Sequence, residues 1–397
     1  VPEKIVVTGI GIITAIGVSV DETLFSLQHS RSGMGKVSLF ETLHRETPVC
    51  EVKKSRDELL DFLQINHDRN CYTRTALLGM HAAREAVASA GLDKGNLGKT
   101  GLVSATTTGG MDFNEVIYYQ LLTDKRYKEY VELLDCADST QKIAADLGLR
   151  EQVTTVSTAC SSSANAIIVG TRMIRNGLVD RVLAGGTDAL TRFTLNGFNS
   201  LEILSPTGCR PFDAERNGVT LGEGAAYLVL ESERTANPDT ILCELSGYAN
   251  VNEAYHQTAS SPDGTGAVMS IRQALTTAGL SAQSIDYINA HGTGTIINDL
   301  SEGKAIETVF DNAIPPVSST KGFTGHTLAA AGSVEAIISV LSLRTQQLFP
   351  NIRFENPMPE LRFSPLNQLN SSNPVHHVLS NSFGFGGNNA SLIFSSI

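Results

Sequence analysis

Cys160 stands in Ser157-Thr158-Ala159-Cys160-Ser161-Ser162-Ser163. A short β-branched run, Val153 to Thr155, precedes it, and an apolar stretch of helical character, Cys160 to Ile174, starts at or just after it. A strand–turn–helix elbow of this kind exposes a nucleophile at a helix N-terminus, where the dipole and free N–H groups favour thiolate. A lone cysteine is more often a small core residue, so the reading depends on its company. His291 lies in Asn289-Ala290-His291-Gly292-Thr293-Gly294-Thr295, directly after the strand-like Ile285 to Asn289. His326 closes Ser318-Ser319-Thr320-Lys321-Gly322-Phe323-Thr324-Gly325-His326, ahead of an Ala-rich helix. A single histidine is usually structural. Two of them, each beside Gly and Thr at a strand-to-helix junction, suit close backbone approach and a polar ligand. The fourth segment, Asn381-Ser382-Phe383-Gly384-Phe385-Gly386-Gly387-Asn388-Asn389, interleaves glycines with aromatics. It reads as a tight hairpin turn, or as a loop offering N–H groups to an oxyanion with a movable aromatic gate.

The elements that must hold these loops alternate between strand and helix. Ile5 to Thr8 reads as a buried strand broken by Gly9 and Gly11. Thr73 to Ala90 reads as a helix ended by Gly91, and Gly101 to Ala105 as a strand entering Gly109-Gly110. Arg181 to Ala184 is another strand candidate, running into Gly185-Gly186. From Leu242 the order repeats, with helices at Ile271–Ala278, Glu302–Phe310 and Gly332–Leu343 and extended segments at Ile285–Asn289 and Pro316–Ser318. Val375 to Ile397 reads as two strands around the glycine-rich turn. This alternation predicts an α/β fold with a buried, largely parallel sheet, and the recurring order hints at duplication. Tyr119 to Glu132 looks like a polar, helical surface insertion.

The 397 residues, 41% hydrophobic and 18% charged, are ample for a large core. A net charge of −11 argues against general nucleic-acid binding. Six cysteines without CxxC or regular spacing suggest neither a disulfide framework nor a zinc site, and fit a reduced, cytoplasmic setting. The apolar run from Lys4 to Val20 has no basic flank and carries glycines and β-branched residues, so a buried strand and loop explain it better than a signal peptide. No membrane span is expected.

Together the four segments resemble the β-ketoacyl-acyl carrier protein synthases, condensing enzymes of thiolase fold. The resemblance runs from Val6-Val7-Thr8-Gly9-Ile10-Gly11 to Phe394, and includes Arg210-Pro211-Phe212-Asp213 and Gly222-Glu223-Gly224-Ala225. It implies two similar βαβαβαββ halves packed as an α-β-α-β-α sandwich, with residues 1–240 carrying Cys160 and 241–397 carrying His291, Lys321 and His326. The Cys-His-His set looks like the elongating class. Cys160 would accept the acyl group, and His291 and His326 would stabilise the enolate left when malonyl-carrier loses CO₂. The N–H groups of Cys160 and Phe385 would bind the oxyanion, and Phe385 would gate the pocket. Lys321 and Glu302 would form a structural ion pair beneath the histidines, with direct proton transfer by Lys321 the alternative. Thr293 and Thr295 would hold the carrier's phosphopantetheine arm, and Thr108, Phe198 and Phe383 would line the acyl pocket. No metal or resident redox cofactor is implied.

The implied partner is an acidic acyl carrier protein, for which Lys125, Arg126 and Lys128 form the clearest basic cluster, diluted by Glu129 and Glu132. A homodimer, or a heterodimer with a chain-length factor, is the implied assembly. Three departures stand out: Ser163 where the family commonly has Gly, Asn388 where Thr or Ala is usual, and Thr106-Thr107-Thr108 where an apolar pocket residue is common. The three threonines either bond locally or line a pocket for a shorter, polar, unsaturated or aryl-bearing acyl chain. Two rival readings are a non-catalytic chain-length factor and a Cys-dependent thioester hydrolase. The first typically lacks the nucleophile that this chain keeps, and the second needs no second histidine beside a lysine.

Overall fold

The computed structural model describes residues 3–67, 71–93 and 95–397. Its frame is a ten-stranded sheet that divides into two runs of five. The first run is built from β1 (Ile5–Thr14), β2 (Thr100–Ala105), β3 (Val153–Val156), β4 (Arg181–Asp188) and β5 (Gly224–Ser232), in the order β3-β2-β4-β5-β1. The second is built from β6 (Cys243–Asn252), β7 (Tyr287–Asn289), β8 (Val317–Ser318), β9 (His377–Gly384) and β10 (Asn388–Ser395), in the order β8-β7-β9-β10-β6. The two orders are the same when each strand is matched to the one five later. The helices correspond too: α1 (Arg74–Ser89), α2 (Cys136–Leu147) and α3 (Ser162–Arg175) against α4 (Thr265–Ala278), α5 (Ile296–Phe310) and α6 (Ala331–Thr345). Each half is therefore βαβαβαββ, the thiolase-like arrangement. β1 and β6 join the runs through two residue pairs, Val6 with Glu244 and Val7 with Cys243.

α3 and α6 pack on each other and on strands of both halves, forming the central layer, while α1 and α4 cover the outer faces. α6 shows why its sequence must lie inside: Ala331 to Leu343 are all buried, so the helix has no solvent face. The run Leu328–Thr345 is apolar enough to pass for a membrane span, but 89% of it is buried in this layer.

Two expectations change. The sheet is mixed, not largely parallel. β2 runs parallel to β3 and β4, and β7 parallel to β8 and β9. The last two strands of each half close back antiparallel. Nor do Gly9 and Gly11 break β1, which is buried throughout and only shifts register between Val7 and Gly9. They let α1 press onto the strand: a Cβ at Gly9 would lie 2.3 Å from the Ala86 carbonyl oxygen and one at Gly11 2.1 Å from that of Ala82.

Candidate active site

The duplication places the chemistry. Cys160 follows β3 and precedes α3; Lys321 and His326 follow β8 and precede α6, the matching turn of the second half. His291 follows β7, and Phe385 sits in the turn between β9 and β10. These turns meet at one cavity of about 550 Å³, lined by Cys160, His291, His326, Phe383, Phe385 and Thr293 among others. The Cys160 sulfur and one ring nitrogen of each histidine lie within 4.8 Å of one another. The imidazoles stand edge to face, with centroids 5.3 Å apart.

Both histidine tautomers follow from their neighbours. The Leu328 N–H donates to His326 Nδ1 at 3.1 Å. The buried Lys321 ammonium lies 3.2 Å from His291 Nδ1 and donates to the His291 carbonyl at 2.6 Å. Each Nδ1 is thus an acceptor, and each Nε2 must carry the proton. Burial and Lys321 hold both imidazoles well below the ordinary histidine range, with His326 adding to the effect on His291. They are neutral N–H donors at neutral pH. A thiol and two imidazoles are also a donor set for a soft divalent ion, but the adjacent ammonium disfavours a second cation there.

Lys321 ion-pairs with Glu335, not with Glu302 as the sequence suggested. Glu302 instead accepts the backbone N–H groups of His291 at 2.9 Å and Gly292 at 2.8 Å, and the Asn381 amide at 3.2 Å. Asp299, one turn earlier on α5, accepts from Thr293 and Gly294 N–H. These two carboxylates fix the loop that carries His291. Glu335 and Asp299 escaped the sequence reading because an acidic residue in a helix has no local signature: Asp299 is one of three acids on α5, and Glu335 the single acid of α6. Glu335 alone gave a signal: α6 is otherwise too apolar for a buried charge to go unexplained.

Cys160 is less acidic than its elbow suggested. Ala159 takes a left-handed φ of 53°, which turns the next residue into the cavity, but α3 begins two residues later, at Ser162. Burial pushes the thiol up to about 11, outweighing the opposing pull of Lys321 and of the Phe385 and Cys160 N–H groups. The resting thiol is therefore neutral, and a base must take its proton as the acyl group arrives. Alkylation of Cys160 by iodoacetamide should then climb about tenfold per pH unit from 7 to 10. A plateau near pH 8 would contradict this. Gly384 keeps the two N–H groups together: a Cβ there would lie 2.9 Å from the Thr158 carbonyl oxygen and 3.1 Å from Cys160 N.

Phe198, Phe383 and Phe385 line the cavity, with Phe198 stacked on Phe385 at 6.0 Å. Thr293 and Thr295 line it as well, their hydroxyls 2.9 Å apart. Thr108 is not among its lining residues. The hydroxyls of Thr106, Thr107 and Thr108 all point at the Asp188 carboxylate, so they carry no inference about the acyl chain. Ser163 accepts the Ser333 N–H at 2.8 Å, capping α6. Asn388 bonds weakly to Asn252 and the Phe385 carbonyl. Lys125, Arg126 and Lys128 are exposed on a 3₁₀ segment, Lys125–Leu134, where Arg126 pairs with Asp124.

Comparison with known proteins agrees with this geometry. The N-terminal domain of the β-ketoacyl synthase family matches residues 2–236 and its C-terminal domain residues 242–355. The 3-oxoacyl-[acyl-carrier-protein] synthase 2 of Staphylococcus aureus is 33% identical, over 99% of this chain and 98% of its own. The ishigamide ketosynthase/chain length factor superposes with a TM-score of 0.91 at 33% identity, covering 100% of both chains. The AntDE:AntF structure, a type II polyketide synthase carrier protein with its ketosynthase bound to the hexaketide, gives 0.86 at 27% identity over 100% of both chains. The chain belongs to the β-ketoacyl synthase family of condensing acyltransferases.

Proposed function

We propose that this chain is the catalytic subunit of a 3-oxoacyl-[acyl-carrier-protein] synthase. An acyl group moves from a carrier's thiol to Cys160, and the carrier leaves as free thiol. Malonyl-carrier then loses CO₂; the electron pair of the broken C–C bond becomes a thioester enolate. The enolate carbon bonds to the acyl carbon, the acyl C–S bond breaks, and the Cys160 thiolate is reprotonated. The observation that carries this reading is the pair of neutral Nε2–H donors facing one cavity beside the thiol. Two such donors stabilise a developing enolate oxygen, and a hydrolase has no use for the second. No resident cofactor is needed, since decarboxylation itself supplies the carbanion. Thr293 and Thr295 would hydrogen-bond the phosphopantetheine arm.

A second subunit of the same fold, either another copy or a chain-length factor, would cover the apolar residues exposed on Met111–Thr123, among them Val116, Tyr119 and Leu122. The likeness to a ketosynthase/chain length factor pair supports the heterodimer. The test is mass spectrometry of the enzyme after incubation with a panel of acyl-carriers, saturated, unsaturated and aryl-bearing. A thioester mass on Cys160 and CO₂ from malonyl-carrier are expected. Free acid without CO₂ would make it a hydrolase, and neither product a non-catalytic partner. The panel also separates a fatty-acid from a polyene or polyketide role. In the same assay, reversing the charge of Lys125, Arg126 and Lys128 should raise the apparent KM for carrier; an unchanged KM would remove them from the docking face.

A further inference from the structure

Asp188 is a fully buried carboxylate that the mechanism above does not use. It ends β4 and has no ion-pair partner among the described residues. Its oxygens are caged by neutral donors from two distant turns. From the turn after β2 come the Thr106 hydroxyl at 2.6 Å, the Thr107 N–H at 3.1 Å and its hydroxyl, and the Thr108 N–H and hydroxyl at 3.4 and 3.3 Å. From the turn after His326 comes the Ala329 N–H, at 2.9 Å from Oδ2.

The second turn is where the tautomer of His326 is set. Leu328 holds a left-handed φ of 54°, a conformation that costs a leucine free energy and persists only if neighbours enforce it. The Leu328 N–H, on the peptide before this torsion, donates to His326 Nδ1, and the torsion sets the direction of the peptide after it. The next N–H along the chain, Ala329, is the one that Asp188 holds. Two consecutive amides thus face in different directions, one to the histidine and one to the carboxylate. We propose that Asp188 is a positioning residue for His326: by anchoring the Ala329 N–H it fixes the strained Leu328 turn, and so keeps Nε2–H of His326 aimed at the developing enolate. A buried carboxylate suits this task because its two charged oxygens accept all the donors of both turns at once, more than a single amide oxygen can hold. The inference rests on the decarboxylative reading above, but it fails separately.

Asp188→Asn keeps the shape but offers one neutral acceptor oxygen in place of two charged ones, so the hold on the Ala329 N–H, which shares its oxygen with Thr107, is weakened or lost. Two half-reactions are measured on each protein: acylation of Cys160 by acyl-carrier, and CO₂ release from malonyl-carrier. Wild type must do both; if it releases no CO₂, the proposed function fails and not the role of Asp188. Asp188→Asn should lower CO₂ release at least about tenfold while acylation stays within about twofold of wild type. A merely structural role would lower both together. Should Asp188→Asn not fold, Asp188→Glu, which keeps the charge but displaces it by one methylene, should show the same split. Thr107→Val removes a donor from the far turn only, and should leave CO₂ release unchanged. Parallel loss of both half-reactions, loss of neither, or a fall in CO₂ release with Thr107→Val as large as with Asp188→Asn, would overturn the proposal.

Discussion

Cys160→Ala should end condensation while malonyl-carrier still loses CO₂. The variant has no sulfur to carry the acyl group, so formation of the β-ketoacyl product should fall by at least about four orders of magnitude, as nucleophile loss does in other covalent catalysts. Nothing that orients the decarboxylating groups involves the sulfur. His326 is held by the Leu328 N–H, and His291 by Lys321 and by the Glu302 clamp on its backbone. The malonyl arm still meets two Nε2–H donors in the same cavity. His326→Ala should give the converse: Cys160 becomes acylated, but CO₂ release falls about 10²–10³-fold, the usual cost of losing one oxyanion donor. The two variants are read by acyl-enzyme mass and by CO₂ counting. Wild-type condensation by Cys160→Ala, or loss of its decarboxylation in step with condensation, would sink the mechanism.

The residues that meet at the cavity were legible in the sequence because each sits in a loop whose composition has no bland equivalent. Glycines and threonines beside a histidine at a strand end have few structural uses, and the same holds for alternating Gly and Phe. The strand–helix order was legible for a related reason, since buried α/β elements are near-continuous apolar runs. Strand direction was not. β1 and β5 differ from parallel strands only in what they pair with, and pairing is set by contacts far apart in sequence. The supporting carboxylates were also hidden. Asp188, Asp299 and Glu335 act through partners between 5 and 141 residues away, and a lone acid has no local signature. Thr106 to Thr108 show the hazard in reverse. Their proximity to the expected pocket suggested a polar substrate, whereas their hydroxyls were needed to satisfy a buried charge.

Lys321→Met should destabilise the fold and disable decarboxylation, and a second substitution should separate the two effects. Lys321 and Glu335 are both almost fully buried and pair directly. Removing the cation alone strands Glu335 in the core, with Glu302 adding repulsion, at a cost of about 3–5 kcal/mol. Burial already raises Glu335 to about 7, and losing Lys321 raises it further. A carboxyl whose folded pKa lies above its unfolded one favours the native state at low pH, and that advantage is lost as pH rises through the folded value. The variant's deficit should therefore be larger at pH 8 than at pH 5.5, as read by thermal melts at both. Glu335→Gln, added to Lys321→Met, removes the stranded charge and should recover most of the stability at pH 8. It should not recover CO₂ release. His291 Nδ1 still lacks its ammonium donor, so the ring is free to take the other tautomer or to flip, and Nε2–H is no longer guaranteed. Recovery of both together would mean that Lys321 serves only the fold. Recovery of stability alone assigns it to the orientation of His291.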